Sequence, residues 1–323
     1  MNLSKLKVID ISTVLAGPSV GTFFAELGAE VIKIEHPQNK DVTRSWKSQE
    51  ESPIHKTSAY FSSVNYKKKY LNLDLSEHLD YEEFINQIQN SDILISNFKK
   101  GDDIKLNSTD SILRKFNPNL IIAKITGFGL DSDRVAYDLI LQAETGFMSI
   151  NGEKNADPLK MPVALIDVLA AHHLKEGILL ALLHRQSTGE AKTVHVSLFD
   201  AALSSLTNQS SNYLMTKNIP QRQGNLHPNI APYGELFLTK DKKEITFAIG
   251  SNTHFKQLCL FLDLSEGTKP EYASNQLRVR NRTNLAKSIQ KKVENYNASE
   301  ILQTLHGLKV PCAVIKKINE VIK

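Results

Sequence analysis

The N-terminal part of the chain carries a pattern of apolar and polar positions that predicts a strand, a helix and a second strand. Apolar side chains dominate residues 7–11 (KVIDI) and 29–34 (AEVIKI). Between these runs, bulky apolar side chains recur with helical spacing at Val20, Phe23, Phe24 and Leu27. Gly28 follows them, where glycine commonly ends a helix. A strand, a helix and a strand in such close succession form a βαβ unit, so we expect parallel strands with a right-handed crossover.

The same alternation continues toward the middle of the chain. Further strands are predicted at residues 70–73, 92–96, 120–125 and 194–197. Helices are predicted up to residue 89 with Asp74 or Ser76 as the cap, over 137–146, from the region of Asp167 to residue 184, and over 198–206. Strands that alternate with helices predict a doubly wound, Rossmann-like parallel α/β sheet. Such a sheet binds its ligands in the loops at the carboxyl ends of the strands.

The chain changes character near residue 216, which predicts a second domain. Prolines and a glycine interrupt residues 216–232, as is typical of a linker. A hairpin is predicted at 236–238 and 244–249, and helices at 253–264, 280–295 and 299–307. We therefore expect a large domain over residues 1–215 and a smaller α+β domain over 233–310. Residues 311–323 are expected to begin a return toward the large domain that the chain does not complete.

Composition and charge exclude several classes of protein. No apolar run reaches the roughly 18 residues of a membrane-spanning helix, and the N-terminus lacks the apolar core of a signal peptide. Cys259 and Cys312 stand far apart, so we expect neither a disulfide framework nor a metal site, and a cytoplasmic location. The net charge of +4 is too small to predict a nucleic-acid partner. It does suit a protein that handles phosphate-bearing anions.

Glu35 follows the second predicted strand, where a dinucleotide-binding fold places the acid that binds a ribose. The glycine fingerprint of that fold is absent, because residues 17–21 read GPSVG rather than G-x-G-x-x-G. We therefore do not expect a nicotinamide cofactor.

Two lysine clusters flank predicted strand ends. Residues 67–69 precede the strand at 70–73, while Lys99 and Lys100 follow the strand at 92–96. Lysine ammonium groups bind phosphate oxygens, and Phe98 would be available to stack on a base. The alternative is that these lysines are ordinary solvated surface, as most lysines are.

One carboxylate, Asp167, interrupts the most apolar stretch of the chain. Apolar residues occupy 162–166 before it and 168–171 after it. Asp167 can be a helix cap whose oxygens accept backbone N–H groups. It can instead be a partly buried carboxylate with a raised pKa and little hydration, which is a candidate nucleophile. The stretch alone favours the cap, whereas its position among the predicted strand-end loops favours catalysis.

Several motifs occur in a distinctive order along the chain. They are VIDISTVLAGPSVGTFFAELGAEVIKIEHP, DVTRSW, AYFSSVNYKKKYLNLDL, DILISNFKKG, NPNLIIAKITGFG, YDLILQAETGFMSINGE, the stretch from Met161 to Asp200, GNLHPNIAPYGEL and VPCAVIKKINEV. In this order they resemble the family III coenzyme A transferases (the CaiB/BaiF family), which include formyl-CoA and carnitine CoA transferases. Each motif is weak alone, but together they are highly specific.

The resemblance implies the fold, the reaction and the site. It implies a Rossmann-like large domain and a small domain, in a homodimer whose subunits interlock like linked rings. It implies transfer of coenzyme A from a donor acyl-CoA to a small carboxylic acid, with Asp167 as the nucleophile that forms aspartyl anhydride and aspartyl-CoA thioester intermediates. Coenzyme A enters as a substrate, and no metal is required. The residues implied for binding coenzyme A are Val14, Leu15, Ala16, Lys67, Lys68, Lys69, Leu73, Asp74, Asn97, Phe98, Lys99, Lys105, Tyr137 and Asp138.

Two other functions stay open at this point. A 2-methylacyl-CoA racemase shares the fold, but that branch of the family has a histidine where this chain has Tyr137. Racemisation needs two bases at the α-carbon, and His172 or His173 could still reach the site as one of them. The second alternative is a relative that binds coenzyme A without turnover.

Overall fold

The computed structural model describes residues 3–322, which divide into two compact units. The first unit takes in the chain up to residue 148 together with residues 160–220. The second unit consists of residues 149–159 and the chain from residue 221 onward. Residues 149–159 therefore belong to the second unit although they lie in the middle of the first along the sequence.

The first unit is built on a six-stranded sheet in the order β3-β2-β1-β4-β5-β6. Its strands are β1 (Lys7–Asp10), β2 (Glu30–Glu35), β3 (Lys69–Asn72), β4 (Ile93–Ser96), β5 (Ile121–Thr126) and β6 (Thr193–Ser197). Every neighbouring pair is parallel, and Val8 of β1 lies opposite both Val31 and Ile93. The predicted doubly wound parallel sheet is confirmed.

The helices of the first unit cover both faces of this sheet. They are α1 (Ala16–Glu26), α2 (Ala59–Ser63), α3 (His78–Gln89), α4 (Asp102–Lys105), α5 (Asp110–Phe116), α6 (Asp138–Glu144), α8 (Leu165–Thr188), α9 (Leu198–Ser205) and α10 (Thr207–Thr216), with a 3-10 turn at Val42–Ser45. The short helix α7 (Phe147–Ile150) begins in the first unit and ends in residues of the second. Phe24 of α1 and Leu174 of α8 share one buried cluster with strand residues, and Phe84 of α3 and Leu113 of α5 share another. Burial of these apolar side chains stabilises the layered fold.

Helix α8 carries Asp167 and runs further than its sequence pattern predicts. Its last turn, residues 185–188, is polar but is fixed because Arg185 pairs with Asp92 at 2.8 Å and donates to the Asn119 carbonyl at 2.7 Å. Gly189, with φ of 79°, then ends the helix in the left-handed conformation.

The predicted cap of α3 is wrong. The helix begins at His78, after Glu77, and its first turn has no side-chain cap. Asp74 instead accepts bonds from the Ser76 amide at 3.0 Å and the Ser76 hydroxyl at 2.6 Å. The Asp74 carboxylate is therefore engaged in a local Asx turn that precedes the helix.

The second unit contains an antiparallel sheet of three strands in the order β7-β8-β9. The strands are β7 (Tyr233–Leu238), β8 (Glu244–Ala248) and β9 (Cys312–Val314), and the helices are α11 (Asn252–Phe261), α12 (Asn275–Arg280), α13 (Arg282–Val293), α14 (Ala298–Gly307) and α15 (Ile318–Val321), with 3-10 turns at Ser265–Gly267 and Pro270–Tyr272. The sequence pattern did not predict β9, which pairs with β8. The helix predicted over 280–295 corresponds to α13, whereas α12, which ends at Arg280, was not predicted.

Within residues 3–322, the helices are all too short or too polar to cross a membrane.

We expect Ile88→Ala in α3 to lower the free energy of unfolding by about 2–5 kcal/mol, because Ile88 is fully buried and its truncation leaves a cavity. Leu79→Ala in the same helix is the control, since that side chain is 76% exposed and its loss should cost under about 0.5 kcal/mol. Urea unfolding of both variants measures the difference, and equal losses would contradict this packing.

Candidate active site

A cleft of about 510 Å³ opens at the carboxyl ends of β1, β4 and β5. The loop after β1 contributes Thr13 and Val14, the loop after β4 contributes residues 97–101, and the loop after β5 contributes residues that include Gly127 and Tyr137. In the sheet, β1 lies between β2 and β4. The strand order runs toward one edge from β1 to β3 and toward the other edge from β4 to β6, so the cleft between β1 and β4 lies at the topological switch point. Doubly wound sheets bind ligands in this place.

Five of the residues predicted to bind coenzyme A line this cleft: Val14, Asn97, Phe98, Lys99 and Tyr137. Asn97 links two loops, because its amide accepts a bond from the Thr13 N–H and donates one to the Thr13 carbonyl, both at 3.0 Å. Phe98 is half-buried and packs against the sheet core on the α3 side, whereas Lys99 is exposed. The Lys99 side chain and the Phe98 ring are therefore both present at the edge of the cleft.

The other predicted binding residues lie outside the cleft lining. Leu15 precedes α1, and Ala16 and Leu73 are buried. Asp74 pairs with His36 at 3.2 Å, Lys69 with Glu30 at 2.6 Å and Lys105 with Asp102 at 3.4 Å. Lys67 is exposed.

Lys68 differs from its two lysine neighbours because its side chain is fully buried. Its ammonium group lies 2.8 Å from Asp10 and donates to the Pro18 carbonyl at 2.7 Å, to the Val64 carbonyl at 2.8 Å and to Asn65 at 2.9 Å. Burial alone would raise the pKa of Asp10, but Lys68 and then Lys33 bring it below its ordinary value. The Lys68 ammonium is therefore engaged in the interior, and this geometry does not favour a phosphate contact for it.

The glycines at positions 17 and 21 have packing roles. A Cβ atom on Gly17 would lie 2.2 Å from the Ser12 hydroxyl, and one on Gly21 would lie 2.9 Å from an Asp10 carboxylate oxygen. Both glycines thus make room for the loop after β1 and for the buried Asp10. Glu35 is also engaged, since its carboxylate accepts two bonds from Arg44.

Asp167 occupies the first turn of α8 and is only 7% exposed. No hydrogen bond to its carboxylate is found among residues 3–322. Burial, with a smaller contribution from the charge of Asp138, raises the pKa of Asp167 from its ordinary value of 3.8 to about 7. The side chain is thus a poorly solvated carboxylate that titrates near neutral pH.

Asp138, the first residue of α6, caps the helix that carries Asp167. One of its oxygens accepts the Ile166 N–H at 2.7 Å and lies 3.4 Å from the Asp167 nitrogen. The other accepts a bond from Gln142 at 2.5 Å. The cap interpretation of Asp167 is therefore wrong: Asp138 satisfies the backbone at the start of α8, and the Asp167 carboxylate is left without that role.

An aromatic cluster of Trp46, Tyr60 and Tyr137 lies beside these two carboxylates. The Trp46 ring centroid lies 5.3 Å from that of Tyr60 and 6.3 Å from that of Tyr137. Burial raises the pKa of Tyr60 to about 12, helped by the charges of Asp167, Asp138 and Asp41. Tyr137 belongs to both features, because it lines the cleft and directly precedes Asp138.

Comparison with known proteins identifies the family. The family model for CoA-transferase family III matches residues 3–323. This chain belongs to CoA-transferase family III. It is 34% identical to the succinate–glutarate CoA-transferase of Agrobacterium fabrum over 98% of this chain and 81% of that protein. It is 30% identical to the succinyl-CoA:mesaconate CoA-transferase of Haloarcula hispanica over 99% of this chain and 81% of that protein.

A solved structure supports the same assignment. The crystal structure of a CaiB/BaiF family protein from Brucella suis has a TM-score of 0.82 and 32% sequence identity with this chain, and covers 99% of this chain and 85% of that one. The chain is thus a family III CoA-transferase in sequence and in fold.

His172 and His173 of α8 do not face a common site in this CoA-transferase. His172 is exposed and His173 is half-buried, on different sides of the helix. Residues 3–322 contain no group of three or more His, Cys, Asp or Glu side chains that could hold a metal ion.

Trp46 and Tyr60 were not predicted from the sequence to be parts of the site. Residues 45–57 are polar and predict a loop, yet Trp46 is the only tryptophan of the chain. A single tryptophan in a polar loop could have indicated that the loop packs onto the protein, since tryptophan buries a large apolar surface against other side chains.

We expect Lys68→Met to lower the free energy of unfolding by about 3 kcal/mol, because it removes the nearest cation from the buried Asp10. Lys67→Met, one residue away and exposed, is the control and should change stability by less than about 0.5 kcal/mol. Urea unfolding and the KM for acyl-CoA should be measured together. A Lys68→Met enzyme that is as stable as wild type but has a raised KM would restore the phosphate-binding role.

The raised pKa of Asp167 also predicts a pH dependence of stability. The folded protein holds the proton of Asp167 more tightly than the unfolded chain, so stability falls as pH rises from about 4 through about 7. Asp167→Asn stays neutral and should exceed wild type by on the order of 2–4 kcal/mol at pH 8, with little difference at pH 4. Urea unfolding across this range tests the prediction, with exposed Asp200→Asn in α9 as the control. An Asp167→Asn difference that does not depend on pH would contradict it.

Proposed function

We propose that this family III CoA-transferase moves coenzyme A between carboxylic acids through covalent intermediates on Asp167. The observation that carries the proposal is the state of the Asp167 carboxylate, which is buried, has no hydrogen-bond partner among residues 3–322, and has a pKa raised to about 7. A carboxylate with few interactions in its resting state loses little when it attacks a carbonyl carbon.

The reaction consists of four acyl exchanges. The Asp167 carboxylate attacks the thioester carbonyl of the donor, which gives a mixed anhydride and releases the thiolate of coenzyme A. The thiolate attacks the aspartyl carbonyl, which gives an aspartyl-CoA thioester and releases the donor acid. The acceptor carboxylate attacks this thioester, which gives a second anhydride and the thiolate. The thiolate then attacks the acceptor carbonyl, so the new acyl-CoA leaves and the Asp167 carboxylate is restored.

The surroundings of Asp167 suit intermediates that water would destroy. Asp167 lies in the first turn of α8 among the buried residues Ile166, Ala170 and Ala171, and its charge acts on Tyr60, whose ring centroid lies 5.3 Å from that of Trp46. Exclusion of water protects an anhydride from hydrolysis and strengthens electrostatic interactions. Tyr60, with a pKa of about 12, keeps its proton at neutral pH and is the hydroxyl we assign as donor to the developing oxyanion.

The start of α8 supplies less to the oxyanion than its helix dipole would suggest. The Ile166 N–H is already bound by Asp138 at 2.7 Å, and the Asp167 nitrogen lies 3.4 Å from the same oxygen. We therefore do not assign these two N–H groups as donors to the oxyanion. Asp138 instead positions the helix and holds the pKa of Asp167 up.

We propose that the acyl-CoA binds in the cleft. Tyr137 joins the cleft to the carboxylate pair, so the thioester lies near Tyr137, and the phosphates extend toward the exposed ammonium group of Lys99. The similar proteins of Agrobacterium and Haloarcula are named for succinate, glutarate and mesaconate, all dicarboxylates. We accordingly propose a dicarboxylyl-CoA such as succinyl-CoA as donor and a dicarboxylate as acceptor, in an enzyme that assembles as a homodimer.

We expect incubation with succinyl-CoA and hydroxylamine to place a hydroxamate on Asp167, because hydroxylamine traps activated acyl groups. Peptide mass spectrometry locates the label. Asp200→Asn, in the first turn of α9, is the matched control and should label as wild type does. Asp167→Asn and Asp167→Ala should lose the label and at least about 10³-fold of turnover, since the covalent route is closed.

The alanine variant matters because an asparagine can revert to aspartate by deamidation. A hydroxamate on another residue, or an Asp167→Ala enzyme within tenfold of wild-type turnover, would refute the covalent role of Asp167. Exchange of the substrate α-proton with deuterated water in the absence of acyl transfer would show racemisation instead.

A further inference from the structure

The loop between β1 and α1 has a backbone conformation that its sequence does not favour. Val14 has φ of 73°, in the left-handed region. Glycine adopts this region freely, whereas a β-branched residue there is strained. Strain of this kind persists only where the surrounding structure fixes it, and it is concentrated at functional sites.

Bonds from three separate segments hold this loop. Asp10, at the end of β1, accepts bonds from the Ser12 amide at 3.0 Å and the Ser12 hydroxyl at 2.5 Å. Lys33 of β2 donates to the Ser12 carbonyl at 2.6 Å. Asp41 accepts the N–H of Val14 itself at 3.1 Å. The strained residue is therefore bound directly by a buried carboxylate from outside the loop.

The groups that hold the loop belong to a buried set of four charges, Asp10, Lys33, Asp41 and Lys68. All four side chains are fully buried, Lys68 lies 2.8 Å from Asp10, and Lys33 lies 3.5 Å from Asp41. Buried ion pairs contribute little to stability compared with apolar residues of the same volume. A fold that keeps two of them under one loop is better explained by the geometry they impose.

Asp41 also connects this loop to the aromatic cluster. Its other oxygen accepts bonds from the Thr43 amide at 3.0 Å and the Thr43 hydroxyl at 2.7 Å, which fixes the 3-10 turn that precedes Trp46. Val14, whose N–H is bound by the first oxygen of Asp41, lines the cleft. One carboxylate thus sets the position of the cleft wall and of the turn that leads to Trp46 of the aromatic cluster.

We propose that Asp41, supported by Lys33, is a positioning residue for CoA transfer that holds Val14 in its left-handed conformation and so shapes the wall of the cleft beside the acyl carrier. Asp41 touches no reacting atom in this role. The inference rests on the proposed binding of acyl-CoA in the cleft and on Asp167 as its acceptor.

The test is a double-mutant cycle of Asp41→Ala and Val14→Gly, read out as kcat and KM with succinyl-CoA. Asp41→Ala alone should lower kcat/KM by about 10- to 100-fold, because a small displacement of a site wall misplaces the substrate. Glycine adopts the left-handed conformation without strain, so Asp41→Ala should lose much less in the Val14→Gly background. An equal loss in both backgrounds, or no loss from Asp41→Ala in folded enzyme, would overturn the proposal.

Asp92→Ala is the control for a merely structural effect. Asp92 also accepts a backbone N–H, from Lys7 at 3.0 Å, and pairs with a cation, Arg185, at 2.8 Å, but at the amino ends of the strands. It should lower stability and leave kcat/KM unchanged below the unfolding temperature. If Asp41→Ala does not fold, the double variant Lys33→Met with Asp41→Leu removes this ion pair and the acceptor of the Val14 N–H without leaving an unpaired charge, and the same coupling to Val14→Gly is expected.

The two proposals fail separately in this design. Turnover that survives Asp167→Ala would refute the covalent role of Asp167, whatever the cycle shows. Additive effects of Asp41→Ala and Val14→Gly, with turnover still dependent on Asp167, would refute only the positioning role.

Discussion

The Asp167 residue is only 7% exposed to water and its carboxylate has no hydrogen-bond partner among the described residues, and the rest of the site depends on that constraint. Such a group is costly in a folded protein, and its pKa rises to about 7 in consequence. The cost is sustained because Asp138 performs the capping that Asp167 would otherwise perform, through its bond to the Ile166 N–H. A negative charge placed there both begins α8 and opposes ionisation of its neighbour. Two carboxylates close together thus take different roles, as their environments dictate.

The parallel sheet decides where this carboxylate pair can act. The loops after β1, β4 and β5 meet at the topological switch point, and Tyr137 stands where their cleft approaches Asp138. In the loop after β1, the hydrogen bond from the Val14 N–H to Asp41 and the buried ion pairs hold Val14 in a strained conformation. Geometry that is imposed by buried charges rather than by apolar packing is found where the substrate is proposed to lie. Apolar residues in place of these ion pairs would stabilise the fold at least as well, but the ion pairs give the wall of the cleft a defined geometry.

Much of the fold could be predicted from the sequence because hydrophobic periodicity is a local property. The order of strands and helices in the first unit, and Asp167 as the residue of interest, followed from that pattern and from the family resemblance. The rest depended on contacts between distant parts of the chain. Lys68 looks like one member of an exposed lysine run until it meets Asp10, 58 positions away. Asp138 and Ile166 are 28 positions apart, so no local pattern shows the cap.

Direct titration of the Asp167 carboxyl group tests the central claim, that burial beside Asp138 prepares this residue to carry the acyl group. Infrared difference spectra between wild type and Asp167→Asn isolate the band of the protonated carboxyl as pH is raised. That band should disappear with a midpoint near 7, and the midpoint should move to lower pH in Asp138→Asn because a repelling charge is gone. A midpoint near the ordinary value of 3.8, unchanged by Asp138→Asn, would contradict the account.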